Sequence, residues 1–480
     1  MIFNSIEFAI FLPIVFLLYW TGKRYIPKSQ NYVLLVASYF FYGWWDYRFL
    51  ALIFASSLVD YIVARRILHS ESKKKKNSLL CLSLLMNLGM LAYFKYANFF
   101  IDSFIDSFSL IGFNFNVDSL ELILPVGISF YTFQTLSYTI DVWKGQLRPI
   151  NDAVAFFSFV SFFPQLVAGP IERAENLLPQ FLEDKKFNYN DSAEGLKQIL
   201  WGLFKKVVIA DNCAYYANQI FESYGDHSGG VLLLGGVLFA FQIYGDFSGY
   251  SDIAIGTSKL FGFHLKINFN FPYFSKGISE FWKRWHISLS TWFRDYVYIP
   301  LGGSKNGRWV HIRNIMIVFL VSGLWHGANW TFVVWGAFHG LLFIPAMYLR
   351  GSALETALNK TFIIRTFRNS VVFLLVTLLW VFFRSQNVGD AFQYLGKIFD
   401  LNGKWIKDLY NYLYWNDMLE ICILLFVFIL IEYIQQGRQI VLQFKFLDKY
   451  AFIRWTLYYS VLFCILLLGA KQQDFIYFQF

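Results

Sequence analysis

Two histidines stand in stretches that are otherwise apolar and aromatic. His286 closes the run Phe281, Trp282, Lys283, Arg284, Trp285, and His326 follows Ser322, Gly323, Leu324 and Trp325, with Gly327, Ala328 and Asn329 behind it. A neutral imidazole takes up or releases a proton near neutral pH. A titratable group at membrane depth is costly, so it usually faces a cavity and does chemistry or transport. The chemistry that fits is general-base removal of a proton from an attacking group. Gly327 leaves room for a backbone or ligand to come close. Each histidine also has a plainer reading: His326 as a buried imidazole bonded to a carbonyl, and His286 as an interfacial side chain beside Lys283 and Arg284.

The remaining polar residues divide less sharply. If residues 326–339 formed one unbroken helix, a 100° step per residue would set His339 about 140° from His326. The two would then not share a site, and His339 reads as structural. His69, His227, His264 and His311 lie among polar or loop residues and receive no role. Without an HExxH or paired cysteine–histidine spacing, no metal site is expected. Cys81, Cys213, Cys422 and Cys464 are far apart and form no disulfide framework. Asp246 and Asp252 flank Ser248, Gly249 and Tyr250; they either line a cavity or cap helices and pair with a lysine or arginine. Glu172–Arg173 and Arg294–Asp295 read as ion pairs that fix turns.

A membrane domain must position these residues. The chain is 57% hydrophobic and only 15% charged, against about a quarter charged in soluble proteins. Its apolar runs approach the roughly 20 residues that cross a hydrocarbon core. They predict an all-α polytopic fold, one domain over residues 1–480, with about eleven spans. They are drawn from twelve apolar segments, at 5–20, two within 31–64, and at 78–98, 119–140, 151–168, 229–246, 313–326, 330–349, 369–384, 416–434 and 453–470. No basic n-region precedes the first, so it is expected to stay. Residues 169–228 and 247–312 are too polar to span plainly and too aromatic for simple loops. At membrane depth such segments must be buried in protein or line a wet cavity, which predicts re-entrant and interfacial helices. Segment 193–222 reads as amphipathic, with Glu194, Lys197, Lys205 and Asp211 on one arc. The net charge of +9 lies mostly in short loops, which argues for membrane lipid and against nucleic acid as partner.

Several blocks together resemble the membrane-bound O-acyltransferases, closest in pattern to the bacterial branch that O-acetylates alginate and other polysaccharides. They are 162–173 (Phe-Phe-Pro-Gln-Leu-Val-Ala-Gly-Pro-Ile-Glu-Arg), 245–252 (Gly-Asp-Phe-Ser-Gly-Tyr-Ser-Asp), 281–300, 325–330 (Trp-His-Gly-Ala-Asn-Trp) and the tail 475–480 (Phe-Ile-Tyr-Phe-Gln-Phe). The resemblance implies a funnel-like helical bundle around a central tunnel. It makes His326 the catalytic histidine and His286 the second functional one. Along the tunnel it sets Trp325, Asn329, Trp285, Ser288, Asp246, Ser248, Tyr250, Asp252, Arg294 and Gln165. It further implies a bacterial inner-membrane location, no resident cofactor, and a thioester donor substrate, acetyl-CoA or an acyl carrier protein. The acceptor would be an extracytoplasmic polysaccharide, reached with an SGNH-type acyltransferase partner outside. With no nucleophile elbow in the sequence, direct transfer is favoured: His326 takes the hydroxyl proton and His286 positions or polarises the acyl carbonyl.

Three alternatives remain at this stage: D-alanyl transfer to teichoic acid with an acyl carrier protein, a transporter without chemistry, and a scaffold of a glycan-export complex. The teichoic branch is typically shorter than this chain. A transporter would more often carry an internal repeat, and none is visible.

The loop charges set the orientation. Arg65, Arg66 and Lys73 to Lys76 crowd one loop, whereas Asp102, Asp106 and Asp118 lie in the next with no Lys or Arg. The basic bias of short cytoplasmic loops puts 65–77 and 21–30 inside, and 99–118 and the N-terminus outside. In a cysteine-free background, an impermeant thiol reagent on intact cells is expected to label a cysteine at Ser107 and not one at Ser72. The reverse pattern inverts the orientation.

Overall fold

The computed structural model describes residues 1–25, 29–113, 115, 119–349, 361–400, 404–416, 418–437, 442, 450–470 and 472–478. Residues 26–28 of the 21–30 loop, Asp118, and Gln479 and Phe480 of the tail motif lie outside the described residues. All regular structure among the described residues is helical. Six of these helices are long and apolar enough to cross a membrane: 6–23, 47–68, 73–109, 229–260, 330–348 and 363–384.

Several expected spans are redrawn. The one at 119–140 is a helix only from Ile128 to Trp143. Residues 119–125 are non-helical, and Gly127 at φ +76° opens the helix in a conformation few other residues adopt readily. The span at 151–168 shrinks to Ala153–Ser161, capped by Asp152. At 1.5 Å per residue it is too short to cross, and Pro164 follows where the backbone leaves the helix. Conversely, the helix expected at 229–246 runs on to Leu260 through a stretch read as irregular.

The protein forms two compact units. Unit 1 comprises residues 1–196 and 254–266. Its polar centre is Asp60, which accepts hydrogen bonds from Ser83 Oγ, Asn87 Nδ2 (2.8 Å) and Thr139 Oγ1 (2.9 Å). These three residues belong to the helices Lys73–Leu91 and Ile128–Trp143, and Asp60 to Leu50–Leu68. A carboxyl buried among apolar helices is tolerated only with such partners, so Asp60 fixes the mutual rotation of the three helices.

Unit 2 comprises residues 197–253 and 267–480. Within it the segment from Lys197 packs on the long helix that starts at Gly229, and glycines set the spacing. A β-carbon at Gly202 would lie 2.6 Å from the Gly249 carbonyl oxygen, and one at Gly249 would lie 2.7 Å from that of Gly202. Gly245 and Gly249 are four apart, the small-residue spacing by which helices approach closely where no hydrophobic driving force separates them from lipid. Residues Phe204–Ala210 form a wide π-type turn. Neighbouring Lys205 and Lys206 both turn inward there, Lys205 to Asp252 (2.5 Å) and Lys206 to Asp246 (2.9 Å) and Asp211 (2.8 Å). The amphipathic segment expected at 193–222 therefore turns Lys205 and Asp211 into protein, because Asp252 on the long helix and Lys206 on the segment itself replace water.

A helical hairpin, Arg308–His326 followed by Trp330–Leu349, completes the frame. Gly323 and Gly336 each lie against the other helix's backbone, at Phe332 and Phe319.

Gly202→Leu is expected to destabilise the protein by about 1–3 kcal/mol, read as a lower melting temperature in detergent. Gly396→Ala, in a helix where an added methyl meets nothing within 4 Å, is expected to hold or raise it. Equal melting temperatures for both variants would refute the close-approach argument.

Candidate functional site

His326 occupies the last turn of Arg308–His326, which Gly327 ends in extended backbone. His286 has a different support: it caps the helix Ile287–Phe293 in the left-handed region, at φ +43°. Such a conformation costs a residue with a β-carbon about 1–2 kcal/mol and persists where the surroundings over-determine it. Asn268 does so. Its carbonyl accepts from Ile287 N (2.9 Å), and its side-chain oxygen accepts from Ser288 N (3.3 Å) and Ser288 Oγ (2.9 Å). Asn270 N donates to Arg284 O (2.9 Å) on the other side of the turn.

The two imidazoles face one another, ring centres 6.4 Å apart and planes near perpendicular. Both are fully buried. Trp325 lies 6.0 Å from His286, and Phe247 packs on it at 4.7 Å. His326 is walled by Trp335 (5.2 Å) and Phe383 (5.4 Å). The same Phe247 ring touches Tyr477 at 4.7 Å, and the Tyr477 hydroxyl stands 3.4 Å from His326 Nδ1. The result is a pair of imidazole rings in an aromatic enclosure with one phenol on the edge of His326. Excluding water from such a place strengthens every polar interaction within it.

Other expected residues take defined places. Trp285 stacks on Phe281 and packs against Trp380 behind the His286 turn. Ser288 is buried on Asn268. Asn329 caps the helix from Trp330, accepting from Thr331 N and donating to Gln386 O, each at 2.9 Å. Asp246 and Asp252 sit in mid-helix, paired with lysines, and Asp246 also accepts from the N–H of Ile476, the first residue of the short helix Ile476–Phe478. Ser248 is buried between them in sequence, and Tyr250 packs on Phe475 at 4.9 Å. Arg294 forms an exposed pair with Asp295 at 2.7 Å, as expected from sequence. Gln165 belongs to unit 1, where its side-chain amide donates to Phe159 O. His339 accepts from Trp282 Nε1 at 3.3 Å, and the indole of Trp335 packs against both His339 and His326. The helical angle argued above does not apply, since residues 327–329 break the helix.

Three contributors escaped the sequence reading. Asn268 carried no motif. Lys206 was one of two adjacent lysines in an apolar stretch, a signal that charged groups there needed buried partners. Tyr477 belonged to a quoted tail motif but received no role, because nothing local shows which ring it meets.

The model of the membrane-bound O-acyltransferase (MBOAT) family matches residues 146–383. The chain is 40% identical over 417 residues to the probable alginate O-acetylase of Azotobacter vinelandii, covering 85% of this chain and 80% of that protein. To the peptidoglycan O-acetyltransferase of Helicobacter pylori it is 37% identical over 432 residues, 84% and 80% of the two proteins. The teichoic acid D-alanyltransferase of Streptococcus thermophilus matches at 31% over 239 residues, 47% and 57% of the two. The family match includes His286 and His326 and stops short of Tyr477.

Proposed function

Since the chain belongs to the membrane-bound O-acyltransferase family, we propose that it takes an acetyl group from a cytoplasmic thioester, acetyl-CoA, and moves it across the bacterial inner membrane for O-acetylation of an extracytoplasmic polysaccharide. It is a multi-pass membrane O-acyltransferase. The observation that carries the detailed reading is the pair of facing imidazoles, His286 and His326, with Tyr477 on the edge of the second.

In the proposed step the acceptor hydroxyl attacks the thioester carbonyl carbon. The new C–O bond forms as the C–S bond breaks. His326 takes the hydroxyl proton and returns it to the leaving thiolate, so no net charge is left in the enclosure. The Tyr477 contact at Nδ1 fixes the ring and turns Nε2 toward the reacting groups, as a second partner commonly does for a catalytic histidine. His286 polarises the carbonyl oxygen from a turn held rigid by Asn268. An SGNH-type acyltransferase outside the membrane then takes the acetyl group from the ester formed in this step and passes it to a glycan hydroxyl, which frees the first hydroxyl for another round.

D-alanyl transfer from an acyl carrier protein is the second reading, supported by the match to the teichoic acid enzyme. It is the weaker one, because that match covers 47% of this sequence against 85% for the alginate relative.

His326→Ala is expected to lower glycan acetylation by about 10²–10⁴-fold. The readout is acetate released from the cell surface by mild alkali, with the amount of protein in the membrane as control. Normal acetylation at normal abundance refutes the base assignment.

Tyr477→Phe removes one hydrogen bond and keeps the ring, so it is expected to slow transfer roughly two- to tenfold. No change means that the hydroxyl does not act on His326.

A further inference from the structure

The segment that delivers Tyr477 is held by charges that the proposed chemistry does not use. After the helix Ala451–Leu467 the backbone lies along residues 206–212. Leu468 O accepts from Asn212 Nδ2 (2.9 Å), and Ala470 N donates to Val207 O (3.4 Å). Gln473 O accepts from Lys206 Nζ (3.0 Å), and Ile476 N donates to Asp246 Oδ2 (2.7 Å). All four contacts use backbone atoms of the segment, so they fix its path and not its side chains.

Lys206 and Asp246 are buried and paired with one another at 2.9 Å. One therefore grips the segment three residues before Ile476, and the other grips Ile476 itself, immediately before Tyr477. The helical turn that carries Asp246 also carries Phe247, which packs on both His286 and Tyr477, and Tyr250, which packs on Phe475. Ile476 is buried in the core.

We propose that Asp246 and Lys206 are positioning residues: their ion pair sets the course of residues 473–477 and thereby places the Tyr477 hydroxyl on His326. The proposal rests on His326 being the base, and it assigns to the acidic residue of the 245–252 block a task on the polypeptide and none on the substrate. An ion pair suits the task because two fixed hydrogen-bonding groups of opposite sense hold a backbone N–H and a backbone carbonyl together. Without Asp246, Lys206 keeps only Asp211 of its two carboxylates and the Ile476 N–H loses its acceptor.

The test is a double-mutant cycle on purified protein, reading thiol release from acetyl-CoA. Asp246→Ala is expected to lower kcat about two- to tenfold, no more than Tyr477→Phe does, and to leave the KM for acetyl-CoA within about twofold. Asp246→Asn keeps an oxygen for Ile476 N–H and is expected to recover most of the loss. In a Tyr477→Phe background, Asp246→Ala is expected to add nothing beyond the larger single effect. Multiplying effects, or a rise in KM alone, overturn the proposal.

A second readout does not depend on activity. With Gln473→Cys in a cysteine-free background, the backbone anchors remain, and maleimide labelling reports release of the segment. Labelling is expected to quicken severalfold in Asp246→Ala and Lys206→Met. Unchanged labelling overturns the proposal even if wild-type protein releases no thiol from acetyl-CoA, an outcome that by itself refutes only the acetyl-transfer reading. If Asp246→Ala does not accumulate, Asp246→Asn and Lys206→Met carry both measurements.

Discussion

An ammonium group enters an apolar helical bundle only in the company of carboxylates, because either ion alone would carry a desolvation cost of several kcal/mol. In unit 2 this constraint organises the site. Lys205 and Lys206 are adjacent, and a regular α-helix would point them about 100° apart. The wide turn over 204–210 turns both inward, and Asp246 and Asp252 stand six residues apart on one helix to receive them. The pairs close because Gly202, Gly245 and Gly249 bring backbone nearly onto backbone. The same helical turn then presents Phe247 to His286. Charge pairing, glycine spacing and the aromatic enclosure are therefore one arrangement, and a change in any of them moves the other two.

Lys205 extends the arrangement beyond the imidazoles. Its carboxylate partner Asp252 also accepts from Gln198 at 3.0 Å, and its ammonium lies over the Tyr244 ring at 5.8 Å. Tyr244 in turn donates to the buried Glu432 at 2.5 Å. The helix Leu419–Gln435 is thus tied into the same polar system. Unit 1 meets the burial problem differently. Asp60 is satisfied by hydroxyls and an amide with no cation among those hydrogen bonds, a clamp of neutral donors. Such a clamp ties helices together without a charge that could be redirected.

What the sequence disclosed follows the range of the forces involved. His286 and His326 were legible because a titratable side chain inside an aromatic run is anomalous wherever it sits. The Arg294–Asp295 pair was legible because its partners are neighbours. Asp246 and Asp252 were ambiguous, since the lysines that answer them lie some forty residues earlier and face them only through the turn at 204–210. Asn268 and Tyr477 were not legible as parts of the site: one supports a backbone conformation that no sequence pattern announces, and the other arrives from the far end of the polypeptide. Long apolar helices were found readily. The segments 119–125 and 162–168 misled because hydropathy registers an apolar residue equally in a helix and in a turn; Pro125 stands just before one helix begins and Pro164 just after another ends.

The left-handed backbone at His286 has a consequence for interpreting variants there. Replacing this residue changes two things at once, the ring and the ease with which the backbone occupies φ +43°. Alanine removes the imidazole and leaves a β-carbon in an unfavourable conformation, so its effect combines chemistry with local unwinding of the turn. Asparagine and glycine tolerate that backbone far better. Compared with alanine, they separate the contribution of the ring from that of the peptide geometry, a distinction invisible in a scan that treats every position as a side chain alone.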